Sequence, residues 1–248
     1  MSGAFVTIPV LRLAFGFPPP LTAGVSLVIA FANSVSGSLT YIRDRRADMK
    51  LALIVASTGI PSSILGALVV RHVSARYFDF LYAGILVLFF ADVVRRTKGD
   101  SPPRIALPIE DERVLEDRRG HVFRYRWSVP IALLCGVGLG FISSFFGIGG
   151  GIIFVIFFIS LLGMPPHIVT ATSMVAMLLT TPVGVAAHWL EGNIDWPYAL
   201  PLAAGGLVGG QLGPRIARRI SSSRLTLIIA YSVLLAAAAL VGRHLFAF

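Results

Sequence analysis

Two kinds of residue in this 248-residue chain are placed where they could do chemistry in apolar surroundings: a run of glycines and a ladder of hydroxyls. The segment SSFFGIGGGIIFVIFF (143–158) carries Gly147, Gly149, Gly150 and Gly151. Each glycine inside a helix costs about 1 kcal/mol relative to alanine, so three in succession unwind one. Opened backbone releases N–H groups. Those that start the next half-helix, near Ile152, lie at the positive end of a helix dipole and suit an anion. The competing reading is close helix packing, because small residues are common where membrane helices meet. A nucleotide-binding P-loop does not fit, since no Lys-Ser/Thr follows the glycines.

The hydroxyl ladder is VTATSMVAMLLTTP (169–182), with Thr170, Thr172, Ser173, Thr180 and Thr181. A related stretch, TAGVSLVIAFANSVSG (22–37), carries Ser26, Asn33, Ser34 and Ser36. Ser173 and Thr180 are two helical turns apart, so with Thr181 nearby they share a face, and Ser26 and Asn33 repeat that spacing. Two such faces meeting would enclose a neutral, hydrogen-bonding cavity. The alternative is that the hydroxyls bond back to carbonyls of their own helix and only pack, the favoured reading for Thr170 and Ser36. Gln211, the one amide within GGLVGGQLG (205–213), joins the candidates, and His188 is the best placed proton relay.

What the chain lacks limits its mechanism. Asp79 and Asp92 are the only carboxylates within apolar spans; both lie near helix ends, and Asp92 precedes Arg95 and Arg96 at pairing distance along a helix. A proton path or Na⁺ site built on a central carboxylate is therefore unsupported. No Gly-x-Ser-x-Gly elbow, His-Glu-x-x-His helix or clustered acid pair is present, so the chain reads as a non-enzyme. Cys135 is a lone cysteine, without the companions of a disulfide or metal site, and no metal or cofactor is expected. The net charge of +9 reflects arginines at helix ends rather than nucleic-acid binding.

The elements that must position these residues follow from composition. At 56% hydrophobic and 13% charged, the chain is too apolar for a soluble protein of its length. Its apolar runs approach the ~20 residues that cross a bilayer, and in lipid only helices satisfy each segment's own backbone groups. Full helices are expected near 20–42, 49–70, 77–95, 127–146, 166–190, 196–217 and 224–246, with shorter pieces at 4–16 and 150–163. Residues 3–96 align on 150–243 at a constant offset of 147, without a gap, with 21 identities in 94 pairs. The chain therefore divides into a first transmembrane repeat (1–96), a linker (97–126) and a second repeat (127–248). The linker holds seven Lys/Arg and six Asp/Glu and reads as a solvated tether. Loop 43–50 has four basic residues and its repeat mate 190–197 has none. Basic loops stay in the cytoplasm, so matching positions face opposite sides and the repeats are inverted, with the linker cytoplasmic. The expected fold is an all-α polytopic membrane protein of two inverted repeats, with short or broken helices at the Gly-rich segments. Arg71, His72 and Arg76 then sit on the outer side, against the charge rule.

At GIGGG (147–151), ATSM (171–174), HWLEGNIDW (188–196) and GGLVGGQLGPRIARRI (205–220) the chain resembles the TauE/SafE family of sulfite-exporter-like permeases. The resemblance covers the second half and, more weakly, the first from Gly3 to about Arg96. It implies a multi-pass carrier in the inner cell membrane that moves small organosulfur or carboxylate anions, such as sulfite or sulfoacetate, by alternating access. Carried over by position, it marks Gly149, Gly150, Gly151, Thr172 and Ser173, and in the first half only Gly3 and Ser26. The helix 127–146 has no partner ahead of Gly3: either the true start lies upstream of Met1, or a missing helix leaves a groove for lipid or for a second subunit of a homodimer. The rival to a carrier is a membrane scaffold or lipid-handling protein whose glycines only pack helices.

Overall fold

The computed structural model describes residues 4–97, 111–118, 120–150, 154, 156–161, 164–217 and 222–246. In chain order its helices are α1 (Ala4–Leu13), α2 (Pro19–Arg43), α3 (Met49–Val70), α4 (Ala75–Thr97), α5 (Val129–Phe146), α6 (Pro166–Leu190), α7 (Trp196–Ala217) and α8 (Ser222–Phe246). A π-helical stretch, Ile156–Leu161, lies between α5 and α6. Among the described residues α2, α3, α5 and α6 are long and apolar enough to cross a membrane. Punctuation sets their ends. Prolines open α2 and α6, where a missing N–H costs no hydrogen bond. Asp48 caps α3 by accepting from Leu51 N at 3.0 Å.

Contacts between helices fix their directions. Gly136 of α5 lies against Val55 and Thr58 of α3, Gly140 against Gly59, and Gly66 against Phe141 and Phe145, so α3 and α5 run parallel. A Cβ added at Gly140 would stand 2.1 Å from the Gly59 carbonyl, which shows how closely the two backbones approach. Helices α2 and α6 run antiparallel instead: Gly37 meets Met174, and Leu27 meets Gly184. These two contacts exchange under the 147-residue offset, since 37 maps to 184 and 174 to 27. The packing of α3 on α6 and of α2 on α7 exchanges in the same way. Helix α4 packs on α8, and α1 on α2 and α8.

The linker departs from the expected tether and adds β-structure to a helical protein. Asp111–Glu116 (β1) and Val122–Trp127 (β2) form an antiparallel hairpin. Along β2, Val122, Arg124 and Arg126 are exposed, whereas Tyr125 and Trp127 are buried in a core with Leu51, Val55, Cys135, Phe158 and Ile168. Two apolar rings on one strand face outweigh the charge of the segment. Tyr125 Oη donates to Asp48 Oδ2 at 2.8 Å. Burial first, and then this bond, hold the Tyr125 phenol far above its usual range, so it remains a donor. Arg46 pairs with Asp117 at 3.1 Å, and Arg118 N donates to Asp44 O.

One end of the helices thus collects loop 44–48 and the hairpin. At the other end Arg71 pairs with Glu191, joining the turn after α3 to the turn after α6. Arg12, which breaks the apolar run of α1, is buried against Asp79: Nε–Oδ1 is 2.7 Å and Nη2–Oδ2 is 2.5 Å. His244 Nε2 completes the cluster at 2.7 Å from Asp79 Oδ2. Asp79 lies near the start of α4, as expected, but it is a fully buried hub of α1, α4 and α8 rather than a solvated end residue.

Both α2 and α6 end in a Schellman cap, in which the residue after the C-cap, here the second after the helix, adopts a left-handed backbone. After α6 that residue is Gly192, φ 70°; after α2 it is Arg45, φ 53°. For a residue with a Cβ the conformation costs roughly 1–2 kcal/mol.

Candidate functional site

Helix α5 ends where the sequence breaks it. Gly147 adopts φ 76° and its N donates to Ser143 O; Gly149 and Gly150 follow at φ 71° and 72°. No L-residue takes these angles readily. Space forbids side chains as well: a Cβ at Gly147 would lie 2.2 Å from the Ala23 carbonyl, and one at Gly149 would lie 2.5 Å from Met177 Cε. The break is wedged between α2 and α6. The N–H groups of Ile148, Gly149 and Gly150 donate to no backbone carbonyl among the described residues. Helical bonding resumes when Phe154 N donates to Gly150 O.

Beside the break is a small cavity whose walls include Gly59, Gly136, Gly140, Ser143, Ser173 and Thr180, together with Gly149 and Gly150. These residues lie toward the middle of α3 and α6 and from the middle of α5 to the break after it, and all are buried, so the cavity sits well inside the bundle. The space open to the centre of a water molecule is about 20 Å³, room for one or two waters. An oxyanion enters only if the helices part.

The structure brings together four candidates, Gly149, Gly150, Ser173 and Thr180, whereas Thr172, Thr181, Ser26, Asn33 and Ser34 do not line the cavity. Ser173 Oγ donates to Thr170 O at 2.8 Å, Thr180 Oγ1 to Ala176 O at 3.0 Å, Thr181 Oγ1 to Met177 O at 2.7 Å and Ser34 Oγ to Phe31 O at 2.7 Å. Back-bonding therefore describes the hydroxyls in this conformation. Thr172 Oγ1 accepts the Asp48 N–H at 2.9 Å and ties α6 to the cap of α3. Ser26, Asn33 and Ser34 are buried on α2 and are not among the cavity walls, so the two polar faces do not meet there. Ser26 Oγ is buried without a hydrogen-bond partner among the described residues. Gly3, Gly151 and Ile152 lie outside the described residues, as does the side chain of Gln211. His188 Nε2 donates to Ser144 O at 2.9 Å, joining α6 to α5.

Sequence reasoning missed Ser143 and the α5 glycines as wall residues. The spacing Gly136-x-x-x-Gly140, opposite Gly59 and Gly66, was the available signal: it creates the close α3–α5 seam from which the cavity opens. Among the described residues no group of His, Cys, Asp or Glu is arranged to hold a metal.

A broken helix against a buried cavity, within a duplicated set of apolar helices, is the setting in which comparison becomes decisive. The model of the family described as "Sulfite exporter TauE/SafE" matches residues 1–240. The chain belongs to the TauE/SafE family. It is 26% identical to the probable membrane transporter protein YunE of Bacillus subtilis, over 99% of this chain and 92% of that protein. It is also 26% identical to the probable membrane transporter protein YfcA of Escherichia coli, over 87% of this chain and 73% of that protein. A probable membrane transporter protein of Haemophilus influenzae is 23% identical over 87% of this chain and 77% of that protein. No solved structure matches the chain. The TauE/SafE assignment and the apolar helices make this a multi-pass helical membrane protein of a transporter family.

Proposed function

We propose that this TauE/SafE protein is an inner-membrane carrier that exports a small oxyanion by alternating access. Sulfite, sulfoacetate or a related organosulfur or carboxylate compound is the expected substrate class. The observation that carries the reading is the left-handed glycine break at Gly147–Gly150, deep in the bundle beside a small cavity lined by buried residues. Unwound backbone at membrane depth is tolerated where it lines a cavity or is buried in protein, and there its N–H groups can replace an anion's water shell. Each hydrogen bond to a charged group contributes roughly 1.5–3 kcal/mol. The N–H groups of Gly149 and Gly150, with the hydroxyls of Ser173 and Thr180, would offset much of the desolvation without a lysine or arginine that traps the ion. The hydroxyls reach it by rotating off carbonyls that the helix already satisfies.

In this reading the two repeats are inverted and the helices rock about the α2–α6 crossing. Contacts that exchange under the 147-residue offset on antiparallel α2 and α6 support that symmetry. So does the location of basic loop 43–50 and the linker hairpin at one end of the bundle, taken as cytoplasmic. The pairing of Arg71 with Glu191 accounts for an arginine at the outer end. Export of an anion from a negative-inside cell gains ~2.3 kcal/mol per charge per 100 mV, so no coupling cation is required. The test is uptake of labelled sulfite or an organosulfonate by proteoliposomes. Saturable flux that Gly150→Leu abolishes is expected; absence of flux for every small anion would leave the glycines a packing role only.

A further inference from the structure

The caps that end α2 and α6 share one hydrogen-bond pattern but differ in chemistry. Arg46 N donates to Tyr41 O and Arg45 N to Ile42 O, as Asn193 N donates to His188 O and Gly192 N to Trp189 O. Glycine fits the left-handed position without steric cost. The first repeat nevertheless holds Arg45 where the second holds Gly192. A rule that only places basic residues on one side of a membrane does not ask for a cation at that backbone position.

Arg45 lines an open surface cavity of about 560 Å³ with Arg43 and Arg118, and with Glu116, Asp117 and Gly120. The bond from Arg118 N to Asp44 O, 3.1 Å, stitches the hairpin tip to the loop and brings in the third arginine. Asp117 is committed elsewhere: it accepts from Arg46 Nε and Nη2 at 3.3 and 3.1 Å and from His121 N at 3.0 Å. Arg43, Arg45 and Arg118 have no ion-pair partner among the described residues, while of the carboxylates nearby Asp117 is already paired with Arg46, Glu116 shares the cavity, and Asp44 lines an adjoining one with Arg118. Under the 147-residue offset the mates of Arg43, Arg45 and Arg46 are Leu190, Gly192 and Asn193, none of them charged.

Three arginines lining one cavity suit a phosphate, which guanidinium groups bind through paired N–H donors. The neighbouring surface chooses its source. Leu39 and Ile42 are 55% and 42% exposed immediately before Arg43, and Leu39 lies one turn from Arg43 on the same face of α2. We propose that the Arg43–Arg45–Arg118 cavity holds the phosphate of an anionic phospholipid, with its acyl chain along Leu39 and Ile42, and so fixes the hairpin to the membrane surface.

The full chain, purified in detergent and stripped of lipid, is titrated with phosphatidylglycerol, phosphatidylcholine or inorganic phosphate, and bound lipid is counted by native mass spectrometry. Phosphatidylglycerol should be retained and phosphatidylcholine not. Arg45→Gly should lower phosphatidylglycerol affinity about fivefold while the lipid-free melting temperature stays level or rises, because Gly192 shows that glycine suits this cap. Arg43→Gln with Arg118→Gln should lower it further, and Arg124→Gln, on β2 outside the cavity, should not. Equal phosphatidylglycerol retention by wild type and Arg45→Gly would overturn the proposal. So would binding of inorganic phosphate or of a transported sulfonate as tight as that of the lipid, which would make the cavity a site for soluble anions.

Discussion

Helices α3 and α7 carry one pattern in two settings. Ala52, Leu53, Ala56, Gly59, Leu65 and Gly66 recur as Ala199, Leu200, Ala203, Gly206, Leu212 and Gly213. On α3 the pattern is covered by α5, and Val55 is 2% exposed; on α7 the mate Leu202 is 38% exposed. An added Cβ at Gly205 or Gly209 would meet nothing within 4 Å, whereas one at Gly136 or Gly140 would strike the α3 backbone. The cavity beside the glycine break belongs to the covered setting. Repeat sequence alone therefore does not make this cavity; the third helix pressed against it does.

The largest test of that contrast is steric. Gly140→Leu drives a side chain into Gly59 O and Ser62 Oγ and should cost about 3 kcal/mol or prevent folding. Gly209→Leu should change stability by no more than about 0.5 kcal/mol, both read from thermal unfolding in detergent. Next comes Gly149→Ala, which combines a left-handed backbone with a collision at Met177 Cε. It should cost about 1–2 kcal/mol and reduce anion exchange about tenfold in proteoliposomes. The N-terminus of α3 gives the next effect. Asp48 receives the Tyr125 hydroxyl, so Tyr125→Phe should destabilise by roughly 1.5 kcal/mol in the same unfolding assay. The smallest effect is at Ser26, whose buried hydroxyl has no partner among the described residues. Ser26→Ala should leave stability unchanged or raise it by about 1 kcal/mol.

Helix ends were legible wherever punctuation was strong. Met49–Val70, Pro166–Leu190 and Trp196–Ala217 fall where the apolar runs and their Asp and Pro signals set them. The unwinding at Gly147–Gly150 was legible too, because helix propensity and left-handed geometry both point to glycine there. The hairpin was not, although VFRYRW (122–127) alternates exposed and buried residues; counting charge hid an alternation of period two. The Arg12–Asp79–His244 cluster joins residues 67 and 165 positions apart, a distance over which no local pattern speaks. The state of the Ser173 hydroxyl was also beyond sequence, since facing a cavity and bonding to Thr170 O are compatible in one rotamer.

The most direct measurement is counterflow of labelled sulfite or sulfoacetate in proteoliposomes bearing wild type, Ser173→Ala or Ser26→Ala, the same residue in the two repeats. Saturable exchange by wild type, reduced about tenfold in Ser173→Ala and kept in Ser26→Ala, is the result that follows from a cavity built only where α5 covers α3. Equal exchange by all three proteins, or none by wild type with any small anion, would contradict it.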